Sequence, residues 1–166
     1  MSGAVWVVDS SALIQIKSFV PHLLRASVFQ SLSQLVEDER LVFPHQVVKE
    51  LRRDSAKYLD EACLWATEVE SRACRHGVPL EDVRGVLGVV SEILDPMKDS
   101  PIEEADPYVL ALALQLKRAG ADARVVVQEL RDTPRKLSLN TACGILGLPS
   151  VPLLGLLKTE RITYQP

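Results

Sequence analysis

The most constraining feature of the chain is a run of five apolar residues, Ala4 to Val8, followed at once by Asp9-Ser-Ser11 and a helical pattern. A short β-branched run without polar alternation is typical of a strand buried on both faces, as in parallel sheets. Asp and Ser are good N-cap residues, so we expect the chain to turn directly from strand into helix. The strand should lie centrally in the sheet of an α/β fold.

Further strands and helices alternate along the chain. The patterns predict strands at 41–43, 124–127 and 150–152, the last of them at an edge of the sheet. Predicted helices follow Ser11, Pro21 and Pro44, and then cover about 55–76, 80–94, 102–117, 141–146 and 153–158, with loops at 95–101 and 128–137. We therefore expect one domain over residues 1–166, a three-layer α/β/α architecture with a small, mainly parallel sheet.

Composition excludes several classes of function. Hydrophobic residues make up 47% and charged residues 25%, as in ordinary globular proteins, and the formal charge of −3 provides no broad basic field for duplex DNA. No apolar stretch approaches the length of a membrane span, and the three cysteines have neither disulfide-framework nor zinc-site spacing. We expect a cytoplasmic protein with reduced thiols and no membrane partner.

Several common catalytic motifs are missing. The chain has no Walker loop and no complete dinucleotide-binding glycine pattern, and its histidines are too far apart for a paired-ligand zinc site. Ser10 follows a strand, but no glycine flanks it as in a hydrolase nucleophile elbow. Ser11 stands where a haloacid-type phosphatase has its second acid. Asp54 follows a predicted helix, so it is unsuited to be a receiver-domain phosphoacceptor.

Four acids occupy positions that favour a shared site: Asp9 after the first strand, Glu50 in a helix, Asp106 at a helix start and Glu129 after the strand 124–127. Side chains at the carboxyl ends of parallel strands meet in one crevice. Clustered carboxylates repel each other unless a cation joins them, and carboxylate oxygens without histidine suit Mg²⁺ or Mn²⁺. We expect Asp9, Glu50 and Asp106 to surround one pocket closely enough to share ions.

Three segments resemble the acidic motifs of PIN domains in order and spacing: Val-Val-Asp9-Ser-Ser, Val-Val-Lys-Glu50-Leu and Ala-Asp106-Pro-Tyr-Val-Leu-Ala. With the tail Lys136-Leu-Ser-Leu-Asn-Thr-Ala-Cys143-Gly, the chain most resembles a poorly characterised bacterial and archaeal PIN-like subfamily. The resemblance implies a Mg²⁺- or Mn²⁺-dependent endoribonuclease in which Asp9, Glu50, Asp106 and Glu129 are the metal-binding and catalytic residues. It also implies a toxin of a toxin–antitoxin pair.

One departure from the PIN pattern leaves the fourth acid open. PIN domains usually have Thr or Ser at the end of the last motif strand, where this chain has Val127. Asp132 is an alternative to Glu129, and a site with three acids is another. Simple helix capping by Asp9 and Asp106, with Pro107 as the first helical residue, is compatible with a metal site.

Other residues complete the predicted site. Ser10 and Ser11 are candidates to orient Asp9 or a water molecule. Five basic residues near the acidic motifs are candidates for RNA phosphate contacts: Arg52, Arg53, Arg131, Arg135 and Lys136. RNA is the expected substrate, and an antitoxin protein and a second copy of the chain are candidate partners. A DNA nuclease and a non-catalytic PIN-like interaction module remain as alternatives.

Overall fold

A computed structural model of the chain describes residues 3–54, 60–94, 104–128, 132–134 and 136–166. Its elements in chain order are β1 (Ala4–Val8), α1 (Ser10–Ile14), α2 (Ile16–Phe19), α3 (His22–Glu37), β2 (Leu41–Val42), α4 (His45–Asp54), α5 (Glu61–Ala73), α6 (Leu80–Val90), a 3-10 turn (Ser91–Ile93), α7 (Asp106–Arg118), β3 (Asp122–Val126), α8 (Leu139–Leu146), β4 (Ser150–Val151) and α9 (Leu153–Thr159). Within the described ranges, no helix is both long and apolar enough to cross a membrane.

The four strands form one parallel sheet in the order β2-β1-β3-β4. β1 is central and pairs with β3 along its whole length, from Ala4 opposite Asp122 to Val8 opposite Val126. Trp6 and Val7 point to opposite faces of the sheet, yet both are fully buried, because helices cover both faces. The predicted three-layer α/β fold, the central first strand and the edge position of β4 are confirmed.

Several element boundaries differ from the sequence predictions. β3 begins two residues earlier than predicted, at Asp122, and the helix predicted over 102–117 begins at Asp106. The first helix is interrupted at Gln15, which ends α1 and precedes α2. α5 begins at Glu61 with Asp60 as its N-cap. The predicted loop at 95–101 lies outside the described residues.

Parallel pairing brings the carboxyl ends of the strands to one edge of the sheet. The backbone N–H of Asp9 donates to the carbonyl of Val126 at 2.9 Å, and the N–H of Val127 donates to the carbonyl of Val151 at 3.0 Å. Segments that follow β1, β3 and β4 are therefore tied together at this edge, where ligands of open α/β sheets bind.

A cluster of polar side chains lies at the opposite end of the sheet, where the strands begin. Glu160, which follows α9, accepts a hydrogen bond from the indole N–H of Trp6 at 2.8 Å and pairs with the guanidinium of Arg40. Arg40 also donates to the carbonyl of Ala4 at 3.2 Å. We call Trp6, Arg40 and Glu160 the C-terminal clamp, because they fasten the end of α9 to the amino ends of β1 and β2.

Candidate functional site

Asp9 lies where β1 turns into α1 and caps the helix, as the sequence predicts. Its backbone is extended (φ −85°, ψ 156°), and its Oδ2 accepts hydrogen bonds from the Ser11 N–H at 3.2 Å and the Ser11 hydroxyl at 2.7 Å. Only 2% of Asp9 is exposed. Its other oxygen, Oδ1, is buried and has no hydrogen-bond donor in the described part of the chain.

Glu50 is carried to the same region by α4. Val47, Val48 and Leu51 are buried against the core, and their spacing turns Glu50 inward with them, so that 8% of it is exposed. Its Oε1 accepts a hydrogen bond from the Ser10 hydroxyl at 2.9 Å. Ser10 therefore joins the start of α1 to the acid of α4.

Asp106 does not cap α7, so that part of the prediction is wrong. Ala105 occupies the N-cap position with helical backbone angles. Asp106 is thus the first helical residue, and Pro107 is the second instead of the first. The Asp106 side chain, 6% exposed, instead accepts a hydrogen bond from the Lys136 ammonium, with 3.1 Å between Oδ2 and Nζ. A contact with a residue thirty positions away replaces the predicted local bond.

The charges of the three acids act on one another. Burial, then the negative charge of Asp106 and, less strongly, that of Glu50, raise the pKa of Asp9 to about 8, although the Ser11 hydrogen bonds act in the opposite direction. Asp9, Glu50 and Asp106 therefore lie in one region, which we call the acid cluster. A buried group of like charges is unfavourable unless protons or cations neutralise it.

Ser11 connects the acid cluster to the end of β3. The backbone N–H of Gln128 donates to the Ser11 hydroxyl oxygen at 3.1 Å, and that hydroxyl donates its own proton to Asp9. The Gln128 side chain in turn accepts a hydrogen bond from the N–H of Leu153 at 3.1 Å, at the start of α9. Because both hydrogen bonds of the hydroxyl are made, Ser11 fixes the orientation of Asp9.

The fourth acid stays unassigned. Glu129 lies outside the described residues, and so do Arg131 and Arg135. Asp132, the alternative, accepts hydrogen bonds through one oxygen from the Ser138 N–H at 2.9 Å and the Thr141 hydroxyl at 2.8 Å, which lower its pKa. Asp132 thus holds the start of α8. Val127 is fully buried and takes no part in the polar edge, except through its backbone.

The remaining predicted phosphate-binding residues differ in their surroundings. Arg52 is half exposed and donates to Glu70 at 2.9 Å, on the same carboxylate that His45 contacts at 3.1 Å. Arg53 is partly buried at the end of α4. Lys136 contacts Asp106 and so belongs to the acid cluster rather than to a surrounding basic rim.

Cys143 is a part of the site that sequence reasoning missed. The thiol is fully buried, and burial together with the charges of Asp9 and Asp106 raises its pKa to about 12. It therefore lies near both acids as an uncharged, unreactive group. The signal was present in the tail segment Thr-Ala-Cys143-Gly, but nothing in the spacing of the three cysteines connected it to the acids.

The acid cluster fits a hard divalent cation in its donor chemistry. Its carboxylate oxygens are the ligands that Mg²⁺ and Mn²⁺ prefer, and the unpartnered Oδ1 of Asp9 is a buried acceptor that a cation would satisfy. As placed, however, no three His, Cys, Asp or Glu side chains of the described residues stand close enough to hold one ion. A bound ion therefore requires either other side-chain positions within the acid cluster or a ligand from a residue outside the described ranges, such as Glu129.

Comparison with known proteins places the chain in a family without assigning an activity. The family model described as "Domain of unknown function (DUF4411)" matches residues 6–164. The match covers nearly the whole chain, including every residue of the acid cluster and of the C-terminal clamp. The chain therefore belongs to this family. No curated protein matches it.

Proposed function

For this member of the DUF4411 family, we propose a divalent-metal-dependent endoribonuclease, the activity that its resemblance to PIN domains implies. The observation that carries the proposal is the environment of Asp9. Its carboxylate is buried, has one unpartnered oxygen and lies within the electrostatic influence of two further acids. Buried acids that act on one another are unfavourable unless protons or cations neutralise them, and a strongly perturbed acid is a common mark of a functional site.

In this proposal, Asp9, Glu50 and Asp106 hold Mg²⁺ or Mn²⁺, with Glu129 as the predicted fourth acid. The ion supplies positive charge for phosphate oxygens and activates water for attack on phosphorus. Ser11 keeps Oδ2 of Asp9 in place, and the unpartnered Oδ1 would be the oxygen available to an ion. Ser10 keeps Glu50 turned toward the cluster. The buried Cys143 thiol lies near Asp9 and Asp106 and adds no charge to the site.

RNA is the proposed substrate because the resemblance implies it, and the charge distribution suits a short single strand. With a net charge of −3, the chain has only local cations for phosphate contacts. Arg52, Arg53, Arg131, Arg135 and Lys136 remain the candidates for those contacts. A toxin role with an antitoxin protein as partner stays a prediction of the resemblance.

The test is cleavage of a labelled single-stranded RNA and a DNA of the same sequence, with Mn²⁺, Mg²⁺ or EDTA. We expect metal-dependent cleavage of the RNA, and a loss of about 100-fold or more in Asp9→Asn, Glu50→Gln and Asp106→Asn, since even outer-shell changes at metal sites cost roughly 10–100-fold. Asp38→Asn, at the exposed end of α3, is the matched control. Full activity in any of the three variants contradicts its assigned role.

A non-catalytic interaction module is the second candidate. It is favoured by the arrangement of the described acids, no three of which enclose an ion, and by Val127 in place of a polar residue. The two candidates differ in their response to metal. An ion that binds only the folded protein stabilises it by about 2.7 kcal/mol at a hundredfold excess over its dissociation constant. No change in melting temperature with millimolar Mn²⁺, together with no cleavage, favours the module.

A further inference from the structure

Lys136 places a positive charge inside the acid cluster. Its ammonium lies 3.1 Å from Oδ2 of Asp106, and the side chains of Lys136 and Asp106 are 21% and 9% exposed. A pair at this depth is screened less by solvent and salt than a surface ion pair. Lys136 therefore neutralises one of the three acids of the metal-free protein.

The backbone of Lys136 and of the residue after it makes several hydrogen bonds. The Lys136 N–H donates to the Thr133 hydroxyl at 3.2 Å, and the Lys136 carbonyl accepts from the Thr133 N–H at 2.9 Å. The next residue, Leu137, donates its N–H to the carbonyl of Glu92 at 2.7 Å, in the 3-10 turn after α6. These bonds hold the backbone of Lys136 and Leu137 while the Lys136 side chain reaches Asp106.

A divalent ion and the Lys136 ammonium require the same carboxylate. Mg²⁺ and Mn²⁺ bind directly to carboxylate oxygens at short distances, and Lys136 now takes Oδ2 of Asp106. Two cations at one buried carboxylate repel each other. An ion that binds through Oδ2 of Asp106 would therefore displace the ammonium, while the backbone hydrogen bonds of Lys136 and Leu137 keep the lysine next to the site.

We propose that Lys136 is a tethered counter-ion that competes with divalent metal for Asp106 and, once displaced, binds a phosphate oxygen of the substrate. This inference rests on the proposed function for the identity of the metal and substrate. In the metal-free protein Lys136 neutralises Asp106, and after displacement it contacts the substrate. Its release couples loading of the ion to the appearance of a positive charge where the phosphate enters.

The experiment measures Mn²⁺ affinity by calorimetry on the full chain. Lys136→Met removes the competing charge and should bind Mn²⁺ about tenfold more tightly than the natural protein, equivalent to ~1.4 kcal/mol, near the lower end for a hydrogen bond between charged groups. Lys136→Arg keeps the charge and should stay within about threefold, on the same scale. Lys117→Met is the matched control, because Lys117 bonds only to the Gly147 carbonyl among its described contacts.

Equal or weaker Mn²⁺ binding by Lys136→Met overturns the competition, and so does the absence of binding in both proteins. At saturating Mn²⁺, the KM for RNA should rise in Lys136→Met while kcat changes less, and an unchanged KM overturns the phosphate contact.

The proposed function is judged separately by cleavage in the natural protein. If the natural protein cleaves RNA while Lys136→Met shows no gain in Mn²⁺ affinity, the inference about Lys136 fails and the nuclease stands. If Lys136→Met binds Mn²⁺ more tightly but the natural protein cleaves no RNA, the competition by Lys136 stands and the nuclease fails.

Discussion

Asp9 takes up a proton when the metal-free chain folds at neutral pH. Burial, followed by the charge of Asp106, raises the pKa of its carboxyl from the ordinary value of 3.8 to about 8 in the folded protein. Below the lower value the group is protonated in both states, so it imposes no penalty. Between the two values only the unfolded state is ionised, so stability falls as pH rises and the loss is complete above about pH 8.

We predict that Asp9→Asn removes this part of the pH dependence. Asn caps helices as well as Asp does, so α1 should keep its start. With EDTA present, the variant should be more stable than the natural protein at pH 8, and the difference should shrink toward pH 4. Urea unfolding at several pH values measures it.

Asp60→Asn is the matched control for this prediction. Asp60 also caps a helix, accepting a hydrogen bond from the Ala62 N–H at 2.8 Å, but it lies at the start of α5. Asp60 pairs with Lys17 at 3.6 Å and lies outside the acid cluster, so its substitution should not give the gain in stability expected of Asp9→Asn at pH 8. If Asp9→Asn and Asp60→Asn behave alike, Asp9 is an ordinary cap.

A second prediction at the residue scale concerns Ser11→Ala. The change removes the hydroxyl between the Gln128 N–H and Oδ2 of Asp9, so it should lower stability by about 1 kcal/mol and Mn²⁺ affinity by roughly 10–100-fold. Ser33→Ala removes a comparable hydroxyl, which accepts from the indole of Trp65 at 2.8 Å. A loss of stability without a loss of Mn²⁺ affinity in Ser11→Ala would reduce Ser11 to a structural residue.

At the scale of elements, local sequence rules predicted most of the fold but misplaced the start of α7. The apolar run at Ala4–Val8 and the helix breakers located strands and helices to within a few residues, because burial and capping are local signals. Asp106-Pro107 has the form of a cap followed by a first helical residue. In the structure Asp106 is itself the first helical residue and Pro107 is the second. The Asp106 side chain pairs with Lys136 rather than with its own backbone.

The C-terminal end of α8 offers a prediction with a built-in contrast. Gly147 has φ +70° and ends the helix in the left-handed conformation, whereas Gly144 lies inside α8 with nothing within 4 Å of an added Cβ. Gly147→Ala should therefore destabilise by about 1 kcal/mol. Gly144→Ala should stabilise by roughly 0.4–1 kcal/mol. Melting temperatures of the two variants with the same sign of change would contradict this account.

At the scale of the whole molecule, the C-terminal clamp should support stability independently of the site. Glu160→Gln weakens its pairing with Arg40, so we expect a loss of about 2 kcal/mol, the scale of a hydrogen bond between charged groups. For a chain of this size, the melting temperature should fall by about 4–8 °C. Mn²⁺ affinity should not change, because the clamp lies at the opposite edge of the sheet. A parallel loss of affinity would show that the two edges are coupled.

The whole site was less predictable than the fold. The order of the acids predicted that Asp9, Glu50 and Asp106 surround one pocket closely enough to share ions. The charges of Asp106 and Glu50 do act on Asp9, but no three acids of the described residues stand close enough to hold one ion. No local pattern joined Lys136 or Cys143 to them, since those contacts depend on how the segments after β3 return to that edge. The role of Glu129 as the fourth acid stays a prediction, because Glu129 lies outside the described residues.

The bond between the Gln128 N–H and Ser11 spans 117 positions of the chain, which has a consequence for biosynthesis. Long-range parallel pairing forms late in folding, after the intervening chain has been made. A partly translated chain that ends before β3 contains all three acids, yet it lacks the strand that orients Asp9. A protein proposed to cut RNA is thus assembled on an RNA template with its cutting site still unformed.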